Sequence, residues 1–130
     1  MAINLMGLDG KVALITGAGR MRSIGRGVAL ALAEAGCDVV ITGTGRSPAL
    51  YPEEEKTAGW RDIDSVAEEV RALGRHALPV VSDVSDLDAG AQVAERVMTE
   101  MGRRECIVNN AGAARAGARA PGVDVSPEVW

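Results

Sequence analysis

The sequence predicts an α/β domain, a parallel sheet with helices packed against it. Three observations carry this. Four short runs are apolar without alternation, as strands buried on both faces require. Stretches with apolar residues at helical spacing separate those runs. The resulting order is β-α-β-α-β-α-β, and strands that alternate with helices pair in parallel through right-handed crossovers.

The strands are expected at residues 12–16, 39–42, 77–81 and 106–108. The first helix opens at Ile24 and carries Val28, Ala31, Leu32 and Ala35 on one face, with Gly36 placed to end it in a left-handed cap. Ile63, Val66, Ala67, Val70 and Leu73 form a second stripe, closed by Gly74. A third runs through Leu87, Ala91, Ala94, Val97, Met98 and Met101 to Gly102. There Ser85 is expected to cap, with Asp88 answering as in a capping box. Pro79 lies inside the third strand, so that strand belongs at an edge or carries a bulge. The strand order 3-2-1-4 of doubly wound sheets puts it at the edge.

One connection is too long for an ordinary βα loop: "TGRSPALYPEEEKTAGWR", from 44 to about 61. Its charge run, Glu53 to Lys56, is expected to face solvent. "AGAARAGARAPG" near the end reads as a loop, and the closing "SPEVW" as the approach to a further helix.

Composition bounds the partners. Apolar residues make up 47% of the chain and aromatics 2%, with no Phe, so aliphatic side chains must build the core. A formal net charge of -4 gives no global attraction to nucleic acid or an anionic membrane, so any anion site must be local. Cys37 and Cys106 each begin an apolar run and read as buried, reduced thiols rather than a disulfide or metal site. No metal ligands are expected. The N-terminus makes a poor signal peptide, and no apolar run approaches the roughly 20 residues of a membrane helix. The expected location is cytoplasmic.

"TGAGRMRSIGRG" (16–27) joins the first strand to the first helix. A strand running into a helix presents unpaired N–H groups at a positive dipole end, a ready anion site. Glycines let the backbone turn and let a phosphate approach. Here "RMRS" makes the loop about two residues longer than a compact nucleotide loop, by comparison with the glycine fingerprint. Ser23 takes the place of the middle glycine, where its hydroxyl can cap the helix or meet a phosphate oxygen. Arg20 and Arg22 add positive charge.

This loop after "LDGKVALI", "SDVSD" after the third strand and "IVNNAG" after the fourth resemble the short-chain dehydrogenase/reductase family. The resemblance covers nearly the whole chain, with the motifs in order. It implies a Rossmann-type parallel sheet with helices on both faces and a nicotinamide dinucleotide as coenzyme. By motif, Gly17, Arg20, Ser23, Ile24 and Gly25 would hold the pyrophosphate. Asp83 and Val84 would border the adenine, and Asn110, Ala111 and Gly112 the ribose and nicotinamide side. The competing reading of Asn109 and Asn110 is that they only tie strand ends together. For full-length relatives the resemblance implies homo-oligomers.

An acid at the end of the second strand normally reads the ribose 2′-hydroxyl. Gly43 stands at that position, followed by Thr44 and then Arg46. With no acid to hold the diol or repel a 2′-phosphate, and with Thr44 able to donate to one and Arg46 or Arg20 able to pair with it, NADP is expected over NAD. The missing acid also speaks against an S-adenosylmethionine site.

Members of the family move hydride between the nicotinamide and an alcohol or carbonyl. A Tyr serves as general acid/base, a Lys four residues on lowers its pKa, and a Ser orients the substrate. The sole tyrosine, Tyr51, is followed four residues later by Glu55, and it lies in the long loop. No residue of this chain is therefore expected to be catalytic. The family's Ser and Tyr-x-x-x-Lys would fall beyond the point matching Trp130. Residues 1–130 thus read as the N-terminal, dinucleotide-binding half of one domain, truncated after the fourth strand, inactive alone, with an open strand edge. A small alcohol or carbonyl substrate enters only if the other half is supplied. The alternatives are a stand-alone module that binds or senses dinucleotide without turnover, and an unstable remnant with neither property.

Overall fold

A computed structural model describes residues 7–112 and Asp124. Much of the "AGAARAGARAPG" loop and all of "SPEVW" lie outside the described residues. Four parallel strands form one sheet: β1 (Val12–Ile15), β2 (Asp38–Gly43), β3 (Ala77–Val81) and β4 (Cys106–Val108), in the order β3-β2-β1-β4. The helices are α1 (Ile24–Glu34), α2 (Glu53–Thr57), α3 (Ile63–Ala72) and α4 (Leu87–Met101). Pro79 sits opposite Ile41 on the edge strand, where its missing N–H costs no ladder bond.

Alternate strand residues point to opposite faces, and each face has its own helices. Ala13, Ile15, Val39 and Ile41 pack with Ala29 and Ala33 of α1 and with Val66 and Val70 of α3. Leu14, Val40 and Val80 pack with Val93 and Val97 of α4 on the other face. The strands therefore read as continuous apolar runs because both faces are covered.

Two helical faces differ from expectation. In α1 the buried residues are Gly25, Ala29 and Ala33. These are the smallest on offer at four-residue spacing, and they let α1 lie close on the sheet. Ile24, expected to lead the apolar stripe, is 79% exposed. In α4 the buried seam is Ala89, Val93 and Val97, while Leu87 and Met98 are exposed. Apolar residues occur on two sides of α4, so hydropathy alone does not fix its rotation. Leu73, closing the α3 stripe, is also exposed. The expected C-caps stand: Gly36 has φ +100 and Gly102 φ +74, left-handed conformations that glycine adopts without strain.

The cap of α4 is a correction. Asp86, not Ser85, caps it, its carboxylate accepting from Asp88 N at 3.0 Å. Ser85 Oγ instead donates to Asp83 Oδ1 at 2.7 Å. The long connection after β2 is a second correction. It forms a 3-10 turn (Pro48–Leu50) and α2, and Glu55, in the run expected to face solvent, is 4% exposed.

Candidate functional site

The site begins where β1 ends. Thr16 Oγ1 accepts from the backbone N–H groups of Asn110 and Ala111, each at 3.1 Å, so the residues after β4 are tied to those after β1. Asn110 Nδ2 donates to the carbonyls of Thr16 and Gly17, also at 3.1 Å each. Gly17 has φ +65, and a Cβ there would stand 2.6 Å from Ala111 Cα. At Gly25 a Cβ would stand 2.6 Å from Asn110 Nδ2 and 2.8 Å from Ala18 Cα. Both glycines are thus required by close approach, and the two strand exits are drawn together above the sheet.

Ser23 is the N-cap of α1, in extended conformation, and its Oγ accepts from Arg26 N at 3.1 Å. Its hydroxyl donates to the carbonyl of Arg20 at 2.9 Å, which closes the loop on itself. The first turn of α1 holds no acidic residue. The N–H groups of Ile24 and Gly25 have no intrahelical acceptor, by the geometry of any helix start, and a dipole end favours an anion there. Arg20 and Ile24 are exposed beside it.

Across the sheet end, Val84 is 60% exposed and lines a recess of about 240 Å³ with Leu14, Thr16, Thr42 and Ser82. Asp83 Oδ1 accepts from Ser85 N at 2.9 Å, which fixes the turn after β3. Gly112 is exposed at the far side of the cleft, as is Asn109.

The segment after β2 folds onto the glycine loop. Trp60 Nε1 donates to Gly19 O at 2.7 Å, and Met21 N donates to Glu55 Oε1 at 2.9 Å. The exposed Arg22 pairs with Glu54 at 2.7 Å. None of these contacts was expected, because the partners stand more than 30 residues apart.

Arg46 was expected to be free for a 2′-phosphate. It is instead engaged by two buried carboxylates, Asp62 Oδ1 at 2.6 Å and Glu55 Oε2 at 3.1 Å, with its side chain 12% exposed. Its guanidinium also stacks on the Tyr51 ring, 4.7 Å from the centroid. Burial opposes the charge of Arg46, but the hydrogen bond to Asp62 and the charges of Asp62 and Glu55 outweigh it and hold its pKa above the ordinary value. The expectation that no carboxylate stands near the end of β2 is likewise corrected by Asp62. Thr44 is exposed. Tyr51 is buried, and that burial, then the charge of Asp62, raises its hydroxyl pKa. Its ring is committed to Arg46, which is no position for a proton donor.

The arrangement can seat a dinucleotide: an anion-binding helix start, glycines that admit close approach, and an apolar recess beside them. The N–H donors at the start of α1 suit phosphate, and the glycines let the two strand exits close together beside them.

Comparison with known proteins agrees. The family model described as enoyl-(acyl carrier protein) reductase matches residues 17–130. The 2-dehydro-3-deoxy-D-gluconate 5-dehydrogenase of Dickeya dadantii is 35% identical over 130 residues, all of this chain and 43% of that protein. The 12alpha-hydroxysteroid dehydrogenase of a Clostridium species is 35% identical over 113 residues, 84% of this chain and 39% of that protein. Among solved structures, a short chain dehydrogenase of Mycobacterium thermoresistibile superposes with a TM-score of 0.71 at 28% identity, covering 94% of this chain and 39% of the other. Carveol dehydrogenase of Mycobacterium avium, in complex with NAD, gives a TM-score of 0.68 at 28% identity, covering 94% and 42%. The chain thus spans about two fifths of the length of the relatives it matches. The match over residues 17–130, the relatives and the shared parallel sheet lead to one conclusion: the chain belongs to the short-chain dehydrogenase/reductase family.

Proposed function

We propose that residues 17–25 hold the pyrophosphate of a nicotinamide dinucleotide, and that the whole protein exchanges hydride between that coenzyme and an alcohol or carbonyl. One observation carries the reading: the glycine loop, the start of α1 and Asn110 converge, with Gly17 and Gly25 leaving no room for side chains between them. The N–H groups of Ile24 and Gly25 bind the pyrophosphate, Ser23 orders the turn, and Arg20 adds charge from solvent. Asp83 and Val84 border the adenine over the recess, and Asn110, Ala111 and Gly112 line the path toward the nicotinamide. When bound, the coenzyme supplies or accepts the hydride. Relatives named as dehydrogenases of a sugar acid and of a steroid support the reaction class but differ in substrate.

At the adenosine ribose, Gly43 and the exposed Thr44 favour NADP, as the sequence suggests. The pairing of Arg46 with two carboxylates favours NAD, the coenzyme bound in the M. avium carveol dehydrogenase. We take NAD as the first reading, because it rests on placed side chains. The two cysteines are free and no helix among the described residues is long and apolar enough to cross a membrane. We place the protein in the cytoplasm, as a homo-oligomer when the whole protein is present.

A second reading, for residues 1–130 taken by themselves, is binding without turnover: Tyr51 is buried against Arg46 and is followed four residues on by Glu55 rather than a lysine. Titration with NADH tests the shared premise through energy transfer from tryptophan to the reduced nicotinamide. Trp60, bonded to Gly19, is a reporter at the glycine loop. Flat tryptophan emission at saturating NADH overturns both readings. Binding without oxidation of any alcohol in a broad panel favours the second.

A further inference from the structure

The dinucleotide reading leaves the adenosine ribose without its usual acid, since Gly43 occupies that place at the end of β2. We propose that Asp62 supplies it: its carboxylate, lodged between Gly19 and Gly43, accepts hydrogen bonds from the ribose hydroxyls and selects NAD over NADP. This rests on the dinucleotide reading above.

Position is the first support. A Cβ at Gly43, the root of the missing acid, would meet Ile63 Cγ2 at 2.8 Å and stand 3.6 Å from Asp62 Oδ2. A Cβ at Gly19, within the glycine loop, would stand 2.5 Å from Asp62 Oδ1 and 2.9 Å from Oδ2. Asp62 therefore brings its carboxylate beside the end of β2, next to the place of the missing acid, and only glycine at 19 gives it room.

Conformation is the second. Asp62 is the N-cap residue of α3, a place where aspartate normally accepts from the helix N–H groups. Its side chain makes no such bond. The backbone adopts φ 57 and ψ −130, a region that side chains other than glycine rarely occupy, and this turns the carboxylate away from α3. Strain of this kind collects at ligand sites. Arg46 pins Oδ1 at 2.6 Å, which fixes the carboxylate's orientation.

Charge is the third. Arg46 balances one of its two carboxylate partners, so the Arg46–Glu55–Asp62 group carries a net charge of one negative, arithmetically +1 with −2. All three side chains are at most 12% exposed, so water screens that charge poorly. A ribose diol donates to such a group, while a 2′-phosphate is repelled by it.

Binding of ADP-ribose and of its 2′-phosphorylated form tests this, by calorimetry on the protein and on Asp62→Asn. The wild type should bind ADP-ribose at least about tenfold more tightly than the 2′-phosphate, and Asp62→Asn should erase most of that ratio. Equal affinity in the wild type, or an unchanged ratio in the variant, overturns the assignment of Asp62 alone. Failure of both ligands to bind overturns the dinucleotide reading and takes the assignment with it. Should Asp62→Asn not fold, the wild type alone decides through 2′-deoxy-ADP-ribose. Weaker binding than ADP-ribose supports the ribose contact, and equal binding refutes it.

Discussion

Asn110 Nδ2 donates to the carbonyls of both Thr16 and Gly17 at 3.1 Å, so one amide holds the exit of β4 against the first turn of the glycine loop. Two net hydrogen bonds contribute about 2 kcal/mol together. Asn110→Ala should lower stability by roughly that amount and loosen coenzyme binding, because Gly17 loses its anchor. Urea unfolding and NADH titration measure the two effects. A variant as stable as wild type would mean that Thr16 Oγ1 alone holds the exits together.

Gly17 and Gly27 lie ten residues apart and should respond oppositely to alanine. Gly17 has φ +65 and would press a Cβ onto Ala111 Cα at 2.6 Å, a backbone atom that cannot swing aside. Left-handed backbone costs a residue with a Cβ about 1–2 kcal/mol before any clash is counted. Gly17→Ala should therefore destabilise by more than that and abolish tight NADH binding. Gly27 lies in α1 with nothing within 4 Å of its Cβ position. Gly27→Ala should stabilise by about 0.5–1 kcal/mol through helix propensity and reduced unfolded-state freedom. Thermal melting of both variants checks the pair, and a stabilising Gly17→Ala would refute the close approach.

These contrasts also explain what the residues disclose unaided. Strands buried on both faces leave continuous apolar runs, so all four were legible, and Pro79 marked the edge strand. The left-handed ends at Gly36 and Gly102 follow from local backbone preference. The rotation of α4 was not legible, because Leu87 and Met98 are as apolar as Val93 and Val97, and only the sheet decides which pair is buried. In the site, Ser23 and Asn110 act through neighbours that a short motif contains or implies. Arg46, Glu55 and Asp62 do not. Their meeting depends on a long segment folding back onto Gly19 and Met21, and a run such as Glu53 to Lys56 reads as solvated until its partner is placed.

Arg46 is the lone cation between Asp62 and Glu55 among the contacts placed there. Removing one partner from a buried ion pair typically costs 3–5 kcal/mol, roughly, since a charge is left uncompensated. Arg46→Ala should cost about that much and also free Glu55 from its place on Met21 N. Arg46→Lys should recover part of the loss, because one ammonium cannot span two carboxylates and stack on Tyr51 as a planar guanidinium does. Urea midpoints for the three proteins give the order wild type, lysine, alanine. Equal midpoints for wild type and alanine would show that the cluster is wet and weak.

Glu105 gives the acid limb of stability a specific cause. Its Oε2 accepts from Val12 N at 2.8 Å while its own N–H donates to Val12 O at 3.1 Å, a two-way tie between the starts of β1 and β4. The hydrogen bond from Val12, then that from Arg103, lowers the carboxyl pKa from its ordinary 4.5. The ionised form is favoured by folding, so its contribution is complete above the unfolded value of 4.5 and is lost as pH falls through the lower folded value. Glu105→Gln removes the titration. The gap in urea midpoint between wild type and Glu105→Gln should be widest near neutrality and close as the solution is taken from about pH 5 toward about pH 2. A gap that stays constant over that range would mean that the carboxylate charge contributes nothing to the tie, and that the amide serves Val12 equally well.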